Sequence, residues 1–594
     1  MQTSTHTQSE RQVIGAAAVS TVSREQSDVK PGLHDPQQQT FRSVAGVATS
    51  ESHIKFLFRI IGILLGLAQT IVARNSIGPD GRSYMEIARA YLGHDWRMTV
   101  NAHWSPLYSW LSAVMLGIVR PSWRWEYPTV HAMNFLIFLV AIAAFEFFWK
   151  GLPRSESGIP NLEFWVLGYA FFLWLTVAQL SLVNPDLCVA TMVYFIMGLV
   201  MRVRNQGRTV THIWLGGALA FGYFAKAILF PLAFVFLAVL VISRVNTKKI
   251  VLSSAIFLAI AAPQILRLSR AEGHITWSES GRLTLAWSNW DVPIRNWQGQ
   301  PPGNGTPVHP TRQVYLHPAV FEFNGPIRAS YPPWYDPTYW NEGLRFNFVP
   351  RVLVAHATHN AAQILVGFLQ PKIWVLAMVT LLVLSTRASF MGIAAQWFLL
   401  VPALAAFSLY SLTFAEFRYM PAWEMLVWAA LLSGLRMRRR APRVVSWIAA
   451  GSAAIMLLAS ANGSRGQFAH GRHDDATPVY AIVEGLQHLR VQPGARVGAI
   501  GYDTDAHWAY LSRLSVVAEI NADQTCEFWS ANPKIQQEVL EKFRAAGASL
   551  LVAHVGGGMR PTSYAHPPDL ASCTQPRTGW QKLSPSSDLV YFLH

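Results

Sequence analysis

Four side chains far apart in the sequence have the types needed to handle a phosphorylated group: Asp80, Asp186, Lys226 and Arg418. Asp80, in Gly78-Pro79-Asp80-Gly81, follows an apolar run and precedes the helix-like stretch 83–92. An aspartate there is either a helix cap or a carboxylate presented at a membrane exit. Asp186, in Asn184-Pro185-Asp186, offers the same two readings. Together they place two carboxylates at one face, where acid–base, metal-binding and positioning roles can be divided. Lys226 interrupts the apolar run 221–227. It either snorkels from a helix end or meets a lipid phosphate. Arg418, in Glu416-Phe417-Arg418-Tyr419, can hold phosphate through two parallel hydrogen bonds or pair with Glu416. Arg267 and Arg270 are weaker phosphate candidates. His103, in Asn101-Ala102-His103-Trp104, binds an acceptor or a metal, or only orients its loop. No HExxH or CxxC arrangement accompanies it, so a structural metal is unsupported. Asp80, Asp186 and His103 are compatible with a divalent ion, and no cofactor is required.

What must position these residues is a set of membrane helices. The chain of 594 residues is 52% hydrophobic and only 14% charged, against roughly a quarter charged in soluble proteins. Apolar windows of about spanning length lie near 54–73, 129–149, 162–180, 187–201, 210–227, 229–243, 250–267, 371–386, 391–413, 421–435 and 444–460. Two further stretches, 106–120 and 351–370, are ambiguous.

Charge resolves the ambiguity. With neither stretch spanning, the basic groups Lys150/Arg154, Arg202/Arg204/Arg208, Arg244/Lys248/Lys249, Arg387 and Arg436 to Arg443 all fall on one side, the cytoplasm. This predicts about eleven spans, a cytoplasmic N-terminus and an outer C-terminus, with 106–120 and 351–370 in the outer interface. The same distribution accounts for the net charge of +15 without nucleic acid, for which no basic helix or aromatic platform appears.

The organisation that follows has four parts. Residues 1–52 are polar and read as a disordered cytoplasmic tail; they lack the apolar core of a signal peptide. Residues 53–460 form the membrane domain, with outer loops at about 74–128 and 268–370. The second loop is rich in Pro and Trp (Trp277, Trp287, Trp290, Trp297, Trp334, Trp340) and is expected to lie against the membrane. From 461 to 594 the composition is globular. Strands are predicted at 496–500, 515–519 and 549–555, and helices at 477–490 and 533–546, giving a small α/β domain on the periplasmic side. Cys526 and Cys573 are both in it, and either pair or stay free; Cys188, in an apolar window, is expected to pack.

Taken in order, these motifs resemble a family. The run from Pro79 and Asp80 through Tyr84 to Gly93, followed by His103, Pro106 and Tyr108, resembles the first outer loop of the C-type (GT-C) membrane glycosyltransferases. Within that superfamily it is similar to the bacterial aminoarabinose transferase and protein O-mannosyltransferase-like enzymes. The Pro185-Asp186-Leu187 run, the Gly222 to Lys226 segment and the Arg418 to Pro421 element match in the same order. The element at His103 departs from the usual His-Pro-Pro, and an Ala neighbours Lys226 where Thr is usual. The resemblance implies sugar transfer at the outer face of the inner membrane, from a polyprenyl-phosphate donor to a glycan, lipid or protein, with inversion. Asp80 would be the catalytic carboxylate. Lys226, Arg418 and Arg270 would bind the donor phosphate, and Tyr84, His103 and Asp186 would shape the site.

Two other classes compete. A transporter or flippase needs ionisable groups inside the membrane, for which His131, Asn134 and Glu146 are the candidates. A receptor or scaffold would make 461–594 the working part and the helices an anchor.

Overall fold

The computed structural model describes residues 36–323, 325–345, 347, 349–370, 372–438, 442–470, 477–555 and 578–593. Two compact units are present, Met1–Lys55 and Phe56–His594. In the first, residues 1–35 of the expected tail lie outside the described residues, and helix begins at Pro36. Its last turns carry a Lys55–Glu51 pair at 3.2 Å.

The chain is a multi-pass helical membrane protein. Its first nine α-helices are α1 (Pro36–Val72), α2 (Pro79–Leu92), α3 (Pro106–Val119), α4 (Glu126–Trp149), α5 (Asn161–Val177), α6 (Asp186–Gln206), α7 (Thr209–Ala225), α8 (Leu229–Ile242) and α9 (Thr247–Glu272). Among the described residues, seven helices are long and apolar enough to cross a membrane, or eight if the pair Ala388–Ala394 and Trp397–Leu412, bent by 63°, is one span. This differs from about eleven. The helices α7, α8, Lys372–Val383 and Pro421–Gly434 stand at expected spans but have 17, 14, 12 and 14 residues, short of the roughly 20 a bilayer requires. They lie among other helices, α7 against α6 and α9. Conversely Pro350–Leu369, expected at the interface, has spanning length and composition. The expected short helix at 106–120 is α3.

Proline and glycine set the boundaries that matter for the site. Helix α2 opens on Gly78-Pro79, where the ring's fixed φ suits a first turn. Pro185 precedes α6, and Gly207, at φ 57°, ends it. Gly81 is needed for close approach: a β-carbon there would lie 2.8 Å from the carbonyl oxygen and Cβ of Val183. That contact sets the start of α2 against the turn leading into α6.

Beyond the helices, a seven-stranded sheet has the order β1-β2-β4-β3-β5-β7-β6. The strands are β1 (Arg312–Tyr315), β2 (Val320–Glu322), β3 (Arg496–Ile500), β4 (Ser515–Ile520), β5 (Leu550–Ala553), β6 (Gln581–Lys582) and β7 (Leu589–Phe592). β3 pairs in parallel with β4 and β5, and the remaining pairs are antiparallel. β3 and β5 are apolar on both faces and buried, as central parallel strands are. Helices Thr477–His488 and Pro533–Ala545 match the predicted ones.

Two expectations need correcting here. The sheet is not built from 461–594 alone, because the hairpin β1–β2 comes from the second loop and joins β4. Three of that loop's tryptophans are also buried and not free to face a membrane. Trp290 and Trp297 pack with Leu283, Ala286, Val292 and Leu344, and Trp340 is buried too; folding these rings into a core removes more apolar area from water than an interface would. Cys188 is a buried free thiol. Cys526 is disulfide-bonded, and Cys573 lies outside the described residues.

Candidate active site

The ends of α2, α6 and α7 and the turn before Pro421 converge. Asp80 stands in the first turn of α2, yet its side chain caps nothing. Its Oδ2 instead accepts from Arg418 Nη2 at 2.9 Å. Asp186, in the first turn of α6, is nearly buried, and its Oδ1 accepts from Lys226 Nζ at 2.7 Å. Arg418 Nε stands 3.8 Å from Asp186 Oδ2 and donates to Glu416. One guanidinium thus joins both aspartates, and its Nη1 makes none of these bonds.

Lys226 is placed by the end of its helix. At α7's C-terminus it adopts extended backbone, φ −158° and ψ 133°, which turns the side chain out of the helical path. Its ammonium sits 3.4 Å from the centre of the Tyr419 ring, a cation–π contact. Arg418 Nη2 also donates to the Tyr419 hydroxyl at 3.1 Å. The Lys226 and Arg418 side chains remain 23% and 25% exposed, so a ligand can reach both cations.

The second loop supplies the other wall. Trp334 Nε1 donates to Asp80 Oδ1 at 3.3 Å. The backbone carbonyl of Trp334 accepts from Ser83 Oγ at 3.0 Å and from Trp104 Nε1 at 3.2 Å. The segment leading to Trp334 is tied to the sheet: Val516 N donates to Ser330 O at 3.2 Å, Ser515 Oγ to Ala329 O at 2.9 Å, and the Tyr331 hydroxyl to Glu519 Oε1 at 2.9 Å. Ser330 N donates to Glu86 on α2 at 2.6 Å. The sheet therefore holds the strand of chain that delivers Trp334 to Asp80.

His103 and Tyr84 flank this wall. The His103 ring packs on Trp104, Trp287 and Trp334. Burial pushes its pKa down to about 4, against a smaller upward pull from Asp80, so the ring is neutral near pH 7. Tyr84 packs edge-on to Trp104 and Tyr108; burial, with Asp80 adding, raises its phenol well above the ordinary value.

The chain is similar to membrane glycosyltransferases of known structure. One is the crystal structure of ArnT from Cupriavidus metallidurans bound to undecaprenyl phosphate, at 12% identity and a TM-score of 0.48, covering 91% of this chain and 98% of that one. Another is the Archaeoglobus fulgidus oligosaccharyltransferase tethered with an acceptor peptide, at 12% identity and a TM-score of 0.43, covering 84% of this chain and 69% of that one. No protein-family description and no curated protein matches the sequence.

Of the residues singled out from the sequence, Asp80, Asp186, Lys226 and Arg418 come together, with His103 and Tyr84 on the adjoining wall. Arg270 does not join them; it is exposed in the last turn of α9. Arg267 donates to Thr99 Oγ1 at 2.9 Å. A metal fits poorly. Among the described residues no group of three or more His, Cys, Asp or Glu side chains converges on a metal position, and the cation already between Asp80 and Asp186 is Arg418. The residues considered for a transport relay are bonded structurally. His131 is within 3.1 Å of Leu180 O and 2.8 Å of Ser76 O, Asn134 joins Tyr108 and Leu182, and Glu146 pairs with Arg59 and Lys150. Sequence reading did not assign Trp334 or Tyr419 to the site. The Trp-rich loop was a signal for the first, and adjacency to Arg418 for the second.

Proposed function

We propose that this protein is a C-type membrane glycosyltransferase. It transfers a sugar from a polyprenyl-phosphate donor to an acceptor hydroxyl at the outer face of the inner membrane. The observation that carries the proposal is Arg418 bridging Asp80 and Asp186, with Lys226 bonded to Asp186, where the ends of α2, α6 and α7 meet.

That place suits the donor. Its lipid tail stays in hydrocarbon while its sugar needs water, and charged groups cost less near a helix end than at mid-bilayer. Lys226 and Arg418 Nη1 offer donors to a phosphate. The acceptor hydroxyl gives its proton to Asp80 as its oxygen forms a bond to the anomeric carbon. The bond from that carbon to the phosphate oxygen breaks, and its electron pair leaves with the lipid phosphate. One displacement inverts the anomeric centre. The formal charges of Asp80, Asp186, Glu416, Lys226 and Arg418 sum to minus one. Proton transfer to Asp80 brings that sum to zero as charge grows on the leaving phosphate, so the site no longer carries a net charge that repels it.

The test is transfer by purified full-length protein from a panel of polyprenyl-phosphate sugars, with the products resolved by mass. Release of lipid phosphate together with a glycosylated product supports the proposal. Vesicle-to-vesicle or transbilayer movement of the donor without bond cleavage would replace it with transport.

A further inference from the structure

Asp80 is met by cations on one side and by aromatic rings on the other. Trp334 donates to its Oδ1 while Arg418 holds Oδ2. The Trp334 ring lies within 21° of parallel to that of Trp287, with centres 6.0 Å apart. His103 leans on both, at 5.6 and 6.4 Å. Trp287, Trp334 and His103 are half-buried, unlike their neighbours Trp290, Trp297 and Trp340. The side chains of Ser83 and Trp104 donate to the backbone carbonyl of Trp334 and its own Nε1 donates to Asp80, so the residue is held before any ligand arrives.

Two polar atoms in this wall have no partner. His103 Nδ1 and Trp287 Nε1 are both shielded from solvent and make no hydrogen bond. Buried polar groups are normally satisfied, and an exception calls for an explanation. Unpaired indole N–H groups recur elsewhere among the described residues, as at Trp374 and Trp423; these two polar atoms differ in bordering one half-buried aromatic surface beside the candidate base.

We infer that the acceptor is a sugar: a pyranose ring laid on Trp287 and Trp334, its hydroxyls bonded to His103 and Trp287, with the attacking hydroxyl at Asp80. The inference rests on the glycosyltransferase reading. A pyranose has a face of C–H groups, which carry slight positive charge and match the negative face of an indole. Its hydroxyls project from the ring edge and can both donate and accept. A neutral imidazole beside Trp287 satisfies either role. An acyl chain would leave both polar atoms unsatisfied, and a serine side chain presents no face to cover two indoles. Trp287 is thus a specificity-determining residue, and Trp334 positions Asp80 as well as the acceptor.

The test uses full-length protein in nanodiscs with whichever polyprenyl-phosphate sugar it turns over. Three acceptor classes are compared: hexose glycosides, either short-alkyl or free oligosaccharides; serine- and threonine-containing peptides; and diacylglycerol. Transfer to the glycosides is expected, with the alkyl and free forms telling a glycolipid source from a glycan. Trp287→Ala should raise the KM for the glycoside about tenfold or more, well beyond any change in donor KM, and Trp287→Tyr should recover most of that loss. Matched thermal melting separates this from misfolding. Transfer only to peptide or diacylglycerol, or equal shifts in both KM values, would overturn the inference while leaving the glycosyltransferase reading intact. Failure to cleave any donor would overturn both.

Discussion

Arg418 donates to the Asp80 carboxylate at 2.9 Å across 338 residues of chain. The same guanidinium reaches toward Asp186 and bonds Glu416. Its planar fork has five donors, which a lysine cannot reproduce. Arg418→Lys keeps the charge but loses the simultaneous contacts. We expect kcat/KM to fall roughly ten- to hundredfold, in line with losing one charge-assisted hydrogen bond. Wild-type turnover in this variant would show that the junction plays no part in the reaction.

Lys226 contributes differently. It bonds Asp186 and stacks on Tyr419, while part of its ammonium stays open. Lys226→Gln keeps a donor and removes the charge. The expected result is a donor KM raised about tenfold, with a smaller change in kcat. A change confined to kcat would remove Lys226 from donor binding.

A second junction holds the soluble part to the membrane part. Glu126, buried at the start of α4, accepts from Arg89 and Arg513, and from the Tyr510 hydroxyl at 2.9 Å. Glu126→Ala removes the shared partner of two part-exposed arginines and of the Tyr510 hydroxyl. Water can reach the arginines, so the cost is about 1–3 kcal/mol, and the thermal transition in detergent should drop. No shift would mean that water replaces the carboxylate freely.

Glu519 gives a pH prediction. Burial, offset in part by Arg295 and reinforced by Asp503, raises its pKa from 4.5 to about 7. Between these values the folded protein keeps a proton that the unfolded chain releases. The folded state then binds more protons, so stability falls as pH rises through this window. Wild type should melt at higher temperature at pH 5 than at pH 7, and Glu519→Gln should flatten that slope. An identical slope in the variant would place the titration elsewhere. Glu519 also accepts from the Tyr331 hydroxyl, in the segment that leads to Trp334.

Charge at the ends of apolar runs made Asp80, Asp186, Lys226 and Arg418 legible from sequence, because an ionisable residue there is costly unless paired or used. Long apolar windows gave the long helices, and short apolar runs interleaved with helical stretches gave β3, β4 and β5. The second loop was opaque. It has no period, and its hairpin strands are four and three residues long, too short to show alternation. Nothing local announced that Trp334 would meet Asp80, because the partner that places it, β4, lies about 180 residues later in the chain. Arg270 was singled out as an arginine just after an apolar run, able to hold phosphate; the helix carries its side chain to an exposed face.

The most direct test separates binding from chemistry at one residue. Asp80→Asn keeps the shape, and its single amide oxygen can still accept from either Trp334 or Arg418 but not both; it cannot take up the acceptor's proton. Donor affinity and transfer rate should be measured on the same folded preparation. The account predicts donor affinity within a few-fold of wild type and a rate lowered by about a hundredfold or more, as for loss of a general base. Transfer at the wild-type rate, or loss of donor binding with the rate at saturation unchanged, would contradict it.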